Sequence, residues 1–104
     1  MKNTLTVHYH SRSGNYFDFS IWQWLEGQIG QDAYFTRFDS FGIVGTINYE
    51  SDYFQGQVCL MVKNANWSVK TPDFKVNRHP GKFRNEVWIV QGDDMVYYSR
   101  QAAI

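Results

Sequence analysis

Two tryptophans in the segment Ile21-Trp22-Gln23-Trp24-Leu25 are the most distinctive chemistry-bearing residues of this sequence. In an extended strand, alternate side chains share a face, so Trp22 and Trp24 would stand side by side about 6.6–6.8 Å apart. Flat apolar rings at this separation suit the apolar faces of two consecutive pyranose units, whose C–H groups meet the negative face of the ring. The segment therefore indicates a sugar-stacking surface, provided that Ile21 and Leu25 pack into the interior.

The opposite orientation of the same strand also fits the pattern. Trp22 and Trp24 would then fill the core, and Ile21, Gln23 and Leu25 would face solvent. Gln23 favours this second orientation, because in the first one a polar side chain points inward. Periodicity alone leaves both orientations open.

A second group of aromatic and polar residues lies in the segment at residues 66–73, which contains Trp67, Lys70 and Asp73. An ammonium group donates hydrogen bonds and a carboxylate accepts them, which is the combination needed to recognise sugar hydroxyls. As a bare pattern this signal is weak, since charged loop residues are usually only solvated. Lys70 and Asp73 would contribute to sugar binding if an aromatic platform lay beside them.

Catalytic and metal-binding patterns are weaker still. His8 and His10 share one face of a predicted strand, but no third Cys or His ligand follows at the spacing of a zinc site. The single cysteine, Cys59, excludes an internal disulfide. Nucleophile elbows, Gly-rich phosphate loops and metalloprotease motifs are absent from the sequence. We therefore expect no enzymatic activity, no metal and no cofactor.

Composition narrows the class of protein. Ten Lys and Arg balance ten Asp and Glu over 104 residues, without the basic surplus typical of nucleic-acid-binding domains. No apolar run approaches the about 20 residues of a membrane-spanning helix, so we expect neither nucleic-acid binding nor membrane insertion. Aromatic residues reach 18%, and those that a small core cannot hold must lie on the surface, where aromatic rings often serve binding. The length predicts one domain, residues 1–104.

Short segments of alternating polarity position these residues. We predict strands at residues 4–10, 20–25, 34–38, 42–49, 57–63, 86–90 and 95–99. The segment at 57–63 is apolar on both faces, which predicts a central strand. Strands at this spacing predict an all-β fold, a two-sheet antiparallel β-sandwich of the immunoglobulin-like type. Residues 64–85 are expected to form a long irregular loop, and such loops are often functional.

Five segments of the chain form a recognisable set. They are Val7-His8-Tyr9-His10, Trp22-Gln23-Trp24, Asp39-Ser40-Phe41-Gly42, Asn66-Trp67 with Lys70, and a closing block at residues 85–93 and 96–99. Together they resemble the family 41 carbohydrate-binding modules, the domains that accompany bacterial pullulanases. The resemblance extends from Leu5 to Ser99.

This resemblance implies a β-sandwich that binds α-glucans such as pullulan, glycogen, amylopectin, amylose and maltooligosaccharides. It implies that Trp22 and Trp24 face outward and stack on consecutive glucose rings. It also implies that Lys70 and Asp73 hydrogen-bond glucose hydroxyls. Trp67 is expected to pack under its loop.

The resemblance further implies a non-catalytic module covalently linked to the catalytic domain of a starch-debranching or amylolytic enzyme. Such an enzyme is secreted by bacteria, so the module would be extracellular or at the cell surface. The alternative is a structural β-sandwich spacer in a multidomain glycoside hydrolase, which would bury its tryptophans. Trp88 is expected in the core.

Overall fold

The computed structural model describes residues 4–25, 29–48, 57–77 and 85–103. Strands dominate these ranges, and none of their helical segments has the length and hydropathy to cross a membrane. The elements are β1 (Thr4–His10), β2 (Ser20–Leu25), β3 (Gln31–Phe38), β4 (Ile43–Asn48), β5 (Gln57–Lys63), β6 (Phe74–Asn77), β7 (Glu86–Val90), β8 (Val96–Tyr97) and the short helix α1 (Arg100–Ala103).

Four strands, β1, β2, β5 and β7, have the bounds predicted from alternation. Strand β3 begins at Gln31, three residues before its prediction, and β8 is shorter than predicted. Strand β4 ends at Asn48, and the predicted end at Tyr49 lies outside the described residues.

The prediction of an irregular loop across residues 64–85 is wrong in one part, because β6 lies within it. This strand directs only two apolar side chains inward, Phe74 and Val76. An alternation of this length is too short to predict a strand from the sequence. It forms by pairing with β5, where Leu60 lies opposite Phe74. Residues 78–84 of the same stretch lie outside the described residues.

All eight strands follow one hydrogen-bonded order, β6-β5-β2-β3-β4-β1-β7-β8. Strand β3 divides this order into two sheets, because its first half pairs with β2 and its second half pairs with β4. The register shifts between Phe35 and Arg37, and such an irregularity bends a strand. The first sheet contains β6, β5, β2 and the start of β3, and the second sheet contains the rest.

The predicted two-sheet sandwich is confirmed, with one correction to its strand directions. Among the strand pairs of the described residues six are antiparallel, but β1 and β7 are parallel, with Val7 opposite Val87. Parallel neighbours need a long connection, and most of the chain lies between these two strands.

The two sheets bury their inward faces in one apolar cluster. Strand β5 lies between β6 and β2 and is buried on both sides, which confirms the central position predicted for it. Truncating a fully buried Leu or Ile to Ala costs about 2–5 kcal/mol, so this cluster fixes which face of each strand points inward. Its members are Leu5, Val7, Tyr9, Ile21, Ile43, Ile47, Val58, Leu60, Val62, Phe74, Val76, Val87 and Ile89.

Candidate functional site

Strand β2 presents its two tryptophans on the outer face of the first sheet. Ile21 is completely buried in the apolar cluster, and Leu25 packs against that cluster from the end of the strand. Trp22 and Trp24 alternate with these residues and remain partly exposed on the opposite side. The structure therefore selects the outward orientation, one of the two that periodicity left open.

The outer face around the two indoles carries a second layer of side chains. Trp22 lies opposite Asp32 of β3 and Met61 of β5, and Trp24 lies opposite Cys59. Met61 and Cys59 point to this outer face and yet are only 9% and 4% exposed. Side chains on directly opposed positions are close neighbours, so the bulky indoles help to shield both.

A third indole, that of Trp67, joins this surface. Its ring centroid lies 5.5 Å from that of Trp22 with an angle of 71° between the planes, which is an edge-to-face contact. Trp67 is 42% exposed, so the prediction that it packs under its loop is wrong. The reason is a tight turn in which Trp67 has a left-handed φ of 63° and its ring meets that of Trp22. We call Trp22, Trp24 and Trp67 the indole platform.

Asn64 holds the turn that carries Trp67. Its Oδ1 accepts a hydrogen bond of 3.0 Å from the Val69 N–H, and its Nδ2 donates to Ser68 Oγ at 2.9 Å. Its backbone N–H donates to the Val69 carbonyl at 3.0 Å, and its carbonyl accepts from the Trp67 N–H at 3.2 Å. These four bonds stabilise a backbone conformation that residues other than glycine seldom adopt.

A buried ammonium group supports Trp67 from beneath. Lys63 Nζ lies 4.6 Å from the centroid of the Trp67 ring, within the range of a cation–π interaction. The same nitrogen lies 3.2 Å from Asp32 Oδ1 and donates to Ser20 Oγ, also at 3.2 Å. Sequence reasoning missed Lys63 because a lysine at the end of a strand is ordinarily solvated.

Gly30 provides the surface on which the Trp22 ring rests. A Cβ atom at this position would lie 2.5 Å from Cζ2 and 2.6 Å from Cε2 of the Trp22 indole. The ring therefore packs against the backbone at Gly30, at a distance that only glycine permits. Together with Trp67, this contact fixes the orientation of Trp22.

Lys70 and Asp73, the two predicted polar residues, are exposed beside the platform strands. Lys70 forms a β-bridge with Lys63, which places it next to the residue that supports Trp67. Asp73 directly precedes β6. Thr71 anchors the segment between them, because its N–H donates to the Val62 carbonyl and its Oγ1 accepts from the Val62 N–H, both at 2.9 Å. Within the described ranges no ion pair engages either charge, so both face solvent.

A family model described as the bacterial pullanase-associated domain matches residues 3–98 of the chain. The chain belongs to this family. The match confirms the resemblance that the five sequence segments indicated, over nearly the same residues.

Three solved structures share the fold of this pullanase-associated domain. Streptococcal family 41 carbohydrate-binding modules, described in a study of α-glucan recognition, give a TM-score of 0.73 at 14% identity over 95% of this chain and 48% of theirs. A streptococcal virulence factor described as binding α-glucan gives 0.67 at 18% identity over 92% and 46%. The multi-modular glycogen-degrading pneumococcal virulence factor SpuA gives 0.71 at 16% identity over 92% and 10%. The chain thus spans about half the length of two of these structures and a tenth of the third.

His8 and His10 of the pullanase-associated domain belong to a different part of the molecule. His8 lies between two carboxylates on the second sheet, 2.9 Å from Asp39 Oδ2 and 2.5 Å from Glu86 Oε2. The Trp88 ring stacks on His8 with the centroids 4.7 Å apart. Trp88 is partly exposed on the outer side of β7, so the prediction that it lies in the core is wrong, because its neighbours on that strand occupy the inward positions.

No three metal-ligating side chains in the described part of the chain are grouped to hold a metal ion, and His79 lies outside that part. His10 Nδ1 instead donates to the Phe41 carbonyl oxygen at 2.8 Å. Burial raises the pKa of Asp39, but hydrogen bonds from the Gly42 and Phe41 N–H groups and the nearby His8 outweigh it and lower the pKa below its usual value. The pair formed by His8 and Asp39 therefore connects β1 to the turn between β3 and β4.

Proposed function

We propose that this domain is a non-catalytic carbohydrate-binding module whose indole platform binds α-glucan chains. The observation that carries the proposal is the grouping of three partly exposed tryptophans, Trp22, Trp24 and Trp67, on one outer face with Lys70 and Asp73 beside them. Exposed aromatic surface is costly in water unless it meets a ligand. The family assignment and the α-glucan binding described for the structural relatives support glucan as that ligand.

The platform binds by stacking on consecutive glucose rings. Trp22 and Trp24 stand on alternate positions of one strand, at a spacing of about 6.6–6.8 Å that is comparable to the repeat of adjacent sugar units. An α-1,4-linked chain curves, so its successive rings need surfaces inclined to each other. The twist of a strand inclines neighbouring side chains, and the angle of 71° between Trp22 and Trp67 adds a second plane.

Lys70 and Asp73 supply the directional part of recognition. The ammonium group donates hydrogen bonds to glucose hydroxyl oxygens, and the carboxylate accepts them from hydroxyl groups. Both groups stay hydrated in the absence of sugar, and water competes for every hydroxyl. Affinity is therefore expected to be modest, with a Kd of roughly micromolar to millimolar.

The domain acts in this proposal as a single module, residues 1–104, linked to the catalytic domain of a starch-debranching or amylolytic enzyme. Attachment raises the local concentration of polysaccharide at the catalytic site. The bacterial pullanase-associated family and the multi-modular, glycogen-degrading structural relative support a secreted enzyme that works outside the cell or at its surface. A structural spacer is the weaker alternative, because exposed indoles are costly in water and serve no purpose in a domain that binds no ligand.

Affinity electrophoresis tests the proposal. Migration through gels containing pullulan, glycogen or amylose should be retarded, whereas cellulose and xylan should have no effect. Trp22→Ala and Trp24→Ala should each nearly abolish retardation, and Lys70→Ala should weaken it without lowering the Tm. Phe17→Ala is the matched control, since Phe17 is a 78% exposed aromatic residue in the loop between β1 and β2 and is not a platform residue. Wild-type retardation of both tryptophan variants would refute the platform.

Two further measurements separate the competing functions. Intrinsic fluorescence should respond to added maltotriose if the indoles bind sugar, whereas a spacer would show no response. Release of reducing sugar from pullulan by the isolated domain would instead favour a glycosidase.

A further inference from the structure

A cavity of about 400 Å³ lies at one end of the second sheet. Its walls come from the end of β1, the end of β7, the turn between β3 and β4, and the helix α1. None of the platform residues contributes to it. Its volume is in the range of small-molecule binding sites.

The charge of the lining is positive. Arg12 and Arg100 both contribute to the wall, and no carboxylate is among the described residues that line it. Within the same part of the chain, neither guanidinium group takes part in an ion pair. A guanidinium group is a planar fork that pairs with two oxygens of a carboxylate or phosphate.

The carboxylates nearest to this wall in sequence already have partners. Asp39 Oδ1 accepts hydrogen bonds from the N–H groups of Phe41 and Gly42 at 2.8 and 3.0 Å. Asp93, which interacts electrostatically with Arg12, accepts from the Tyr97 hydroxyl and from the Met95 N–H. Both carboxylates keep their charge in these contacts, but neither is among the residues that line the cavity.

The remaining lining residues are the polar His10 and Ser40 and an apolar floor formed by Phe41, Val90 and Ala103. The His10 Nδ1 atom must carry its hydrogen, because the Phe41 carbonyl oxygen 2.8 Å away can only accept. Nε2 is therefore the ring nitrogen left to meet a ligand. The Phe41 ring packs against His10 with the centroids 5.6 Å apart, and Ser40 contributes a hydroxyl group.

We propose that this cavity is a second binding site, one that takes a small organic oxyanion. Its phosphate or carboxylate group lies between Arg12 and Arg100, and the rest of the molecule packs toward Phe41 and Ser40. An uncharged glucan has no anionic group for two guanidinium groups to pair with, and the lining shares no residue with the platform. The proposal does not depend on the platform binding sugar.

Isothermal titration calorimetry with four probes tests the site: glucose 6-phosphate, glucuronate, inorganic phosphate and glucose. We expect glucose 6-phosphate or glucuronate to bind at least about tenfold more tightly than glucose, and the better of the two identifies the source of the oxyanion. Inorganic phosphate binding as tightly as both organic anions would overturn the role of the apolar floor. No measurable difference between the charged probes and glucose would overturn the site.

Charge-removing variants locate the binding. Arg12→Gln and Arg100→Gln should each weaken anion binding about tenfold or more, and both arginines are exposed, so the fold should be retained. Arg37→Gln, on the exposed side of β3, is the matched control and should bind like the wild type. An equal loss in all three variants would show nonspecific charge attraction and overturn the proposal. Trp22→Ala should leave anion binding unchanged, so a failure here and a failure of the glucan platform are distinguishable.

Discussion

Lys63 places its buried ammonium group 4.6 Å from the centroid of the exposed Trp67 ring. A buried charge is tolerated only when it has partners, and here Asp32 and Ser20 supply them at 3.2 Å. The three contacts connect β2, β3 and β5 to the turn that carries Trp67. The ring is thereby held in place before any ligand arrives, and such preorganisation reduces the entropy cost of binding.

Replacement of this cation should loosen the platform. In Lys63→Met the side chain keeps its length but loses both the cation–π contact, worth about 0.5–2 kcal/mol, and the partner of Asp32. We expect about tenfold weaker glucan binding by calorimetry, a lower Tm, and a weaker near-ultraviolet circular dichroism signal from Trp67. Lys75→Met is the control, because Lys75 is exposed on β6. An unchanged glucan affinity in Lys63→Met would show that glucan binding does not depend on the contact between Lys63 and Trp67.

A methyl group at Gly30 should displace the Trp22 ring. The added Cβ would lie 2.5 Å from Cζ2, and an indole pressed between this backbone and Trp67 has little room to give way. Gly30→Ala should therefore weaken glucan binding by several fold while the Tm changes little, since Ile21 still anchors the strand. Gly14→Ala is the control for glucan affinity, because an alanine there strains the backbone at a φ of 77° but adds no contact within 4 Å. An unaltered glucan affinity in Gly30→Ala would contradict the fixed orientation of Trp22.

Much of the fold was predictable because alternation and burial agree in the long strands. Four strands have the predicted bounds, and β5, apolar on both faces, lies where such a strand should. The parallel pairing of β1 with β7 was not predictable, because local pattern carries no information on the direction of strands distant in sequence. Strand β6 was missed for a related reason, since pairing with β5 forms it.

The platform was predictable only in part. Periodicity predicted that Trp22 and Trp24 share one face of the strand. That this face points outward depends on Ile21, which is buried in the apolar cluster on the opposite face. The outward ring of Trp67 depends on four hydrogen bonds at Asn64 and on Lys63, contacts that sequence spacing does not reveal.

Alkaline conditions should destabilise the domain through Tyr9. Burial, assisted by Tyr16, raises the pKa of Tyr9 from 10.0 to about 12. The contribution of the neutral phenol is complete below pH 10 and is lost as the pH rises toward 12, up to about 3 kcal/mol. The Tyr9→Phe variant should show a smaller loss of unfolding free energy in urea titrations between these pH values. Tyr34→Phe, at an exposed position, is the control and should behave like the wild type.

Acid should destabilise the domain through Asp39. Burial raises its pKa, but hydrogen bonds from the Gly42 and Phe41 N–H groups, together with His8, outweigh this and lower the pKa below 3.8. The unfolded chain therefore takes up the proton first as the pH falls. The stability that this carboxylate provides is complete above pH 3.8 and is lost as the pH falls through its lower pKa in the folded state.

Melting curves between pH 7 and pH 2 should show a steeper decline of the Tm for the wild type than for Asp39→Asn. Asp94→Asn, at an exposed position, is the control and should follow the wild type. Parallel declines of the wild type and Asp39→Asn would show that the contacts of Asp39 contribute no pH-dependent stability.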